Sequence, residues 1–190
     1  MSVFIAEKEL VKGCIAGKTR HQSLLYLRFS PALFGICKRY AKNKEEAEDL
    51  LQDIFVKIFL NISHFRFESS LLYWMKKIAI NTLISYHKKH NHLAEEMVPI
   101  EDIPEHLLPV TIPTDPEIPM DVLLAMINKL PMGYRMVFNL REIEGLEFQK
   151  IAEMLECSQV TVRSQLYKAK NALKKQIEDW RKTEIVSPRS

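Results

Sequence analysis

From residue 90 to residue 128 the chain carries no lysine or arginine, yet it holds Pro99, Pro104, Pro109, Pro113, Pro116 and Pro119, six of its nine prolines. Each proline removes a backbone donor and pushes the residue before it out of the helical region. Residues 93–120 therefore predict a semi-extended linker rather than a packed element. Glu95, Glu96, Glu101, Asp102, Glu105, Asp115, Glu117 and Asp121 put eight negative charges in the same stretch; with a net charge of +3 for the whole chain, the remainder carries +11. A 190-residue chain interrupted in this way has room for two small domains.

Both flanks read as helical, because only five glycines occur and no two-residue alternation of apolar and polar residues runs through them. Before the linker, Leu24, Leu27, Leu33, Phe34, Cys37 and Tyr40 trace an apolar stripe that Pro31 is expected to break or kink. Asn43 is placed to cap a helix whose apolar face is Ala47, Leu50, Leu51, Ile54, Phe55, Ile58 and Phe59. Ser69 or Ser70 starts a further helix through LLYWMKKIAINTLISYHKK. After the linker, four shorter helices are expected. Asp121 caps the first, Pro131 and Gly133 separate it from YRMVFNLREIE, and Gly145 ends that second helix as a left-handed cap. The fold class is all-α: two small helical domains joined by an acidic proline-rich linker, the C-terminal one a four-helix unit containing a helix-turn-helix.

The helix-turn-helix rests on KIAEMLECSQVTVRSQLYKAK, residues 150–170. Phe148, Ile151, Ala152 and Leu155 form one short apolar face, Glu156-Cys157-Ser158 a turn, and Val162, Leu166, Ala169 and Leu173 a second apolar face. Gln159, Thr161, Arg163, Ser164, Gln165 and Lys168 are left outward. Arg can fork onto guanine and Gln can pair with adenine, while Ser, Thr and Lys hold phosphate. Basic residues can also simply solvate the outer face of a helix. Against that, Gln159 to Lys175 carries five basic residues and no acidic one.

In EEAEDLLQDIF, residues 45–55, Glu48, Asp49, Gln52 and Asp53 stand on the polar side of the apolar-faced helix. Acids in a first turn favour the helix dipole, which accounts for part of this pattern. In the following HFRFESSLLYWMKKIAINTLISYHKKH, Tyr73, Trp74 and Tyr86 are interleaved with Arg66, Lys76, Lys77, Lys88 and Lys89. Aromatic and cationic side chains at helical spacing suit single-stranded nucleic acid, where bases stack and phosphates are neutralised. Trp74 is expected to be largely core.

Together AEDLLQDIFVKIF, FRFESSLLYWMKKIAINTLISYHKK and LPMGYRMVFNLREIEGLEFQKIAEMLECSQVTVRSQLYKAKNAL resemble alternative bacterial sigma factors of the extracytoplasmic-function type, group 4 of the sigma-70 family. The resemblance covers residues 21–92 and 122–178. It implies a protein that is not an enzyme and needs no cofactor, and that binds core RNA polymerase to direct promoter recognition, melting and initiation. The implied organisation is an N-terminal helical extension (1–20), sigma domain 2 (21–92), the acidic linker (93–120), sigma domain 4 (121–182) and a flexible tail (183–190). Asp49, Gln52, Asp53 and Phe55 would dock on the polymerase clamp. Phe65, Arg66, Phe67, Glu68 and Ser69 would receive a base flipped from the minus-ten element, and Asn81, Ser85, Tyr86, Lys88 and Lys89 would guide the fork. Gln159, Thr161, Arg163, Ser164, Gln165 and Lys168 would read the minus-thirty-five element. The implied partners are core polymerase, through its beta-prime clamp and beta flap, and promoter DNA, both duplex and melted non-template strand. An anti-sigma factor and an additional DNA-bound recruiting protein have a place in the same scheme.

This chain departs from the family pattern at three points that bear on DNA. Phe67 stands where the base-capturing loop commonly has Gly, and Glu156 and Val160 stand where the turn commonly has Gly. Lys88-Lys89-His90 also replaces a more Arg-rich run, losing forked guanidinium contacts. Relaxed or altered promoter reading, aided by a recruiter, is the expectation. The alternative is a helix-turn-helix regulator that binds duplex DNA without polymerase. A nucleic-acid enzyme is disfavoured by the lack of a metal-ligand or acid–base set, and no GxSxG, HExxH or phosphate loop is present. His87, His90 and His92 lack a companion cluster for a metal. Cys14, Cys37 and Cys157 are too dispersed for a disulfide framework, and MSVFIAEKELVKG lacks the apolar run of a signal peptide, so a cytoplasmic location without membrane insertion is expected.

Overall fold

The computed structural model describes residues 6–90 and 118–186, and every regular element among them is a helix. Nearly all of the expected linker, and the end of the expected tail, lie outside the described residues. In chain order the elements are α1 (Glu7–Ile15), α2 (Thr19–Tyr40), α3 (Lys44–Asn61), a 3-10 turn (Ile62–His64), α4 (Leu71–His90), α5 (Met120–Asn128), α6 (Met132–Phe138), a π-helical segment (Asn139–Ile143), α7 (Phe148–Leu155) and α8 (Gln159–Val186). The chain divides into two compact units, residues 1–85 and 86–190, with the division inside α4.

In the first unit α2 packs on both α1 and α3. The buried stripe of α2 is Leu25, Phe29, Leu33, Ile36, Cys37 and Tyr40; it keeps Leu33, Cys37 and Tyr40 of the expected stripe but has Leu25, Phe29 and Ile36 in place of Leu24, Leu27 and Phe34. Leu27 is 68% exposed. Nor does Pro31 break the helix, which runs on through it. Pro31 and Leu27 both lie on the solvent side, where water can serve the carbonyl that the missing N–H leaves unpaired. Asn43 caps α3 as expected: its Oδ1 accepts from the backbone N–H of Glu46 at 2.8 Å, while the Glu46 carboxylate accepts from the N–H of Lys42. Ala47, Leu50, Leu51, Ile54, Phe55 and Ile58 are the buried face of α3. Ser70 is the cap of α4, its Oγ accepting from the N–H of Tyr73 at 3.2 Å.

In the second unit Asp121 makes no side-chain cap. It sits inside the first turn of α5, where its charge still opposes the positive helix end. Gly133 belongs to α6 rather than to the break before it, which Pro131 makes alone as N-cap. Gly145, at φ +70°, terminates the π-helical segment as expected of a left-handed residue. The last helix is not short. Its buried stripe continues from Val162, Leu166 and Ala169 through Leu173 to Ile177, and this holds 28 residues in one helix against α6 and α5. Gln176 adds a hydrogen bond from Nε2 to the Met126 carbonyl at 3.3 Å.

The α1–α2 contact is tight enough to exclude a methyl group. A Cβ on Gly13 would lie 2.1 Å from Cδ2 of His21, so Gly13→Ala must displace the ring or part the helices. Overpacking of this kind costs about 1–3 kcal/mol. A lowered urea midpoint with unchanged slope is the expected result.

Candidate nucleic-acid interface

Along the outer side of α3, Asp49, Gln52 and Asp53 are exposed. Phe55 is not: it is 3% exposed, with its ring 4.5 Å from Tyr26 and 5.9 Å from Phe59. Its role as a docking residue is therefore corrected, because it belongs to the apolar face that packs inward. The exposed stripe is completed instead by Val56 and Leu60, which are 57% and 72% exposed. Their spacing of three to four and then four residues from Gln52 and Asp53 gives them away in the sequence.

The loop after the 3-10 turn is built on a row of aromatic rings. Phe65 is buried, so it cannot receive a base directly; its ring lies 5.5 Å from Trp74 and 4.7 Å from Phe67. Arg66, Phe67, Glu68 and Ser69 are exposed, and Phe67 adopts φ +60°. Trp74 is half-buried, less enclosed than a core residue, because one side of it lines an open cavity of about 300 Å3 between α3 and α4. Lys57 and Asn61 on α3, His64, and Ile78, Asn81, Thr82 and Ser85 on α4 form the rest of its wall. The Asn61 amide donates to the Lys57 carbonyl at 2.8 Å, which orients its Oδ1 as a remaining acceptor. Ser85 Oγ donates to the Asn81 carbonyl at 2.9 Å. The wall thus offers a cation, amides, hydroxyls and an indole, the groups that hydrogen-bond and stack an extruded base. Asn81 and Ser85 are among the residues expected from the sequence; Lys57, Asn61, Ile78 and Thr82 are the additions. The spacing of Lys57 and Asn61, and of Ile78 with Asn81 and Thr82, puts each set on one helix face.

Beyond this wall Tyr86 and Lys88 are half-buried and Lys89 is exposed. The ring of His90 stacks on Tyr86 at 4.6 Å. His92 lies outside the described residues. Among the described residues, no group of three or more His, Cys, Asp or Glu could hold a metal, and no helix is long and apolar enough to cross a membrane.

In the helix-turn-helix, Glu156 ends α7 in the left-handed region, at φ 57°. Ser158 caps α8, its Oγ accepting from the N–H of Thr161 at 3.0 Å and lying 2.9 Å from Thr161 Oγ1. Spacing puts six polar side chains outward, but Thr161, Ser164 and Gln165 are buried. Thr161 is held by the cap, and Ser164 turns its hydroxyl back onto the Thr161 carbonyl at 2.8 Å. Gln165 sits beside Leu166 and Ala169 at the edge of the apolar stripe, where helical geometry brings it inside. Gln159, Val160 and Arg163 are exposed and Lys168 is half-buried. The Arg163 guanidinium lies 4.3 Å from the Phe148 ring centre, with Arg141 4.5 Å from the same centre. Lys170 pairs with Glu142 at 2.9 Å, which removes one cation from the basic run.

Residues 25–92 match the family description Sigma-70 region 2, and residues 120–173 match Sigma-70, region 4. The chain is 27% identical over 187 residues to the extracytoplasmic-function RNA polymerase sigma-E factor of Haemophilus influenzae, covering 94% of this chain and 98% of that one. It is 29% identical over 192 residues to the RNA polymerase sigma-H factor of Pseudomonas aeruginosa, covering 90% and 94%. Among solved structures, the sigma factor RpoE in complex with the anti-sigma factor NepR from Bartonella quintana has a similar fold. Its TM-score is 0.52 and its identity 22%, covering 82% of this chain and 96% of that one.

Cys14 and Cys37 are buried, and burial pushes their thiols up to about 11 and about 12 from an ordinary 9.0. Both folded-state values lie above the unfolded one, so the neutral thiols stabilise the fold below about pH 9. That contribution is lost as pH rises toward 11 and 12. At pH 8 both thiols are expected to resist iodoacetamide in the native protein and to react once urea unfolds it. Mass spectrometry of the labelled protein reads this directly.

Proposed function

Because the chain belongs to the extracytoplasmic-function group of RNA polymerase sigma factors, initiation factors that are not enzymes, we propose that it directs polymerase through three surfaces. The Asp49–Gln52–Asp53–Val56–Leu60 stripe of α3 docks on the polymerase clamp. The cavity between α3 and α4 holds a base flipped from the non-template strand of the minus-ten element. Residues at the start of α8, with Gln159 and Arg163 foremost, approach the minus-thirty-five element in the major groove. Residues 21–92 and 121–182 act as sigma domains 2 and 4, with the 93–120 linker between them and the beta flap as a second polymerase contact.

The observation that carries this reading is the cavity. Flipping a base costs a few kcal/mol of unstacking, and a wall that supplies an indole face with amide and cationic groups offsets that cost. Tyr73, next to Trp74 in α4 and topped by the Lys77 ammonium at 4.7 Å, extends the aromatic and basic surface. The burial of Thr161, Ser164 and Gln165 supports relaxed reading of the upstream element, since few side chains at the start of α8 remain free to meet base edges. A DNA-bound recruiter would then supply the missing specificity, and an anti-sigma factor would be a further partner; the Bartonella quintana sigma factor of similar fold is seen in complex with one.

Reversing charge on the docking stripe with Asp49→Lys and Asp53→Lys together is expected to weaken core polymerase binding at least tenfold, with melting temperature unchanged because both residues are exposed. Retention of full polymerase binding would contradict the docking face. If the unaltered protein bound duplex DNA but no polymerase, the regulator alternative would stand instead. On duplex DNA, pairing of Lys170 with Glu142 leaves four cations in the basic run. The share of the logarithmic salt slope that these four cations contribute should then be near −3.6, at about −0.9 per phosphate, and should be lost when all four are replaced by Gln. Anisotropy titrations at several salt concentrations measure it.

A further inference from the structure

Phe148, the first residue of α7, gathers two cations on one ring. The Arg163 guanidinium stands 4.3 Å from the ring centre and the Arg141 guanidinium 4.5 Å from it. The three residues come from three segments: Arg141 from the π-helical segment, Phe148 from α7 and Arg163 from the start of α8. Arg141 is braced independently of the ring. Its Nη1 donates to the Leu146 carbonyl at 2.8 Å and lies 3.6 Å from the Glu147 carboxylate, which is 81% exposed and so screened by water. Arg163 is exposed, and among the described residues no carboxylate pairs with it. Two like charges brought to one ring repel each other, and one screened acid offsets little of that. The cluster is therefore complementary to an anion, and its forked donors suit a phosphate.

We propose that Phe148 is a positioning residue for Arg163: its ring sets that guanidinium, with Arg141 beside it, on a phosphate of duplex DNA, so that Arg163 grips the backbone rather than reading a base. This rests on the reading of the helix-turn-helix as the duplex-binding surface. In that motif the first helix crosses the backbone and the second enters the major groove. The ring belongs to the first helix, so a guanidinium held on it is drawn back from the groove toward the strand. Stacking leaves the N–H edge of the guanidinium free to donate, and a side chain already held in place loses less freedom on binding. With Arg163 so engaged, Gln159 and Val160 are the exposed side chains left at the start of α8 to meet base edges. Relaxed reading of the upstream element then has a second cause, beside the burial of Thr161, Ser164 and Gln165.

The test is fluorescence anisotropy of the full chain on a dye-labelled mixed-sequence duplex at several salt concentrations, beside sequencing of the duplexes retained from a random library. Arg163→Gln is expected to weaken binding about fivefold at low salt and to make the logarithmic salt slope shallower by about 0.9. The sequences it retains should match those of the unaltered chain. Phe148→Leu should weaken binding about threefold, and Phe148→Tyr, which keeps the ring, should stay within about twofold of the unaltered chain. In the Arg163→Gln background Phe148→Leu should cost no further affinity, because Arg141 keeps its other partners. A changed sequence preference in Arg163→Gln with an unchanged slope would make Arg163 a base reader and overturn the proposal. Equal losses from Phe148→Leu with and without Arg163 would make the ring merely structural and overturn it too. Failure of the unaltered chain to bind any duplex at low salt would overturn the helix-turn-helix reading itself, and the proposal with it.

Discussion

The apolar packing of α3 against α2 governs what the rest of the first unit can present. Ala47, Leu50, Leu51, Ile54, Phe55 and Ile58 point inward, and fully burying each aliphatic or aromatic side chain among them contributes about 1.5–3 kcal/mol. That burial fixes the rotation of α3. With the rotation fixed, Asp49, Gln52, Asp53, Val56 and Leu60 share the opposite side, and Lys57 and Asn61 face α4 across the cavity. A slip of one residue in that packing would turn every side chain of α3 by about 100° about the helix axis and move the exposed stripe off its side. The Asn43 cap sets where the helix begins, so the same contact fixes the height of each exposed residue.

Among the described residues, the two non-glycine residues in the left-handed region, Phe67 and Glu156, lie in the two segments expected to meet DNA. Each costs about 1–2 kcal/mol relative to an unstrained backbone. At Glu156 the conformation is what the helix-turn-helix needs, because it ends α7 and lets the N–H of Cys157 reach the Ala152 carbonyl at 3.1 Å. At Phe67 no helix end requires it.

Local chemistry made much of this architecture legible. Asn43, Ser70 and Gly145 act through their own side chain or φ, so reading them needs no knowledge of partners: the first two begin a helix and the third ends one where the residue type demands. Helix rotation is a tertiary property and was harder to read. The stripe of α2 begins at Leu25 and Phe29 because α1 and α3 cover that side; Leu27 fits an equally good apolar period that nothing covers. Spacing places Phe55 on the apolar face, where it is buried against Tyr26; only the resemblance assigns it to docking. Thr161, Ser164 and Gln165 look like readers by chemistry, but a cap, a back-bonded hydroxyl and proximity to the apolar stripe bring them inside. The cavity required two helices to be juxtaposed, which no single segment encodes.

The central claim is that this chain gives core RNA polymerase its promoter choice. The most direct measurement is transcription by purified core polymerase, with and without the full chain, on a library of random upstream sequences, with every start site sequenced. The account predicts start sites that depend on the added chain and share a minus-ten element, with weak sequence preference about one helical turn or more upstream. Start sites that do not change when the chain is added, under conditions where it binds polymerase, would contradict it.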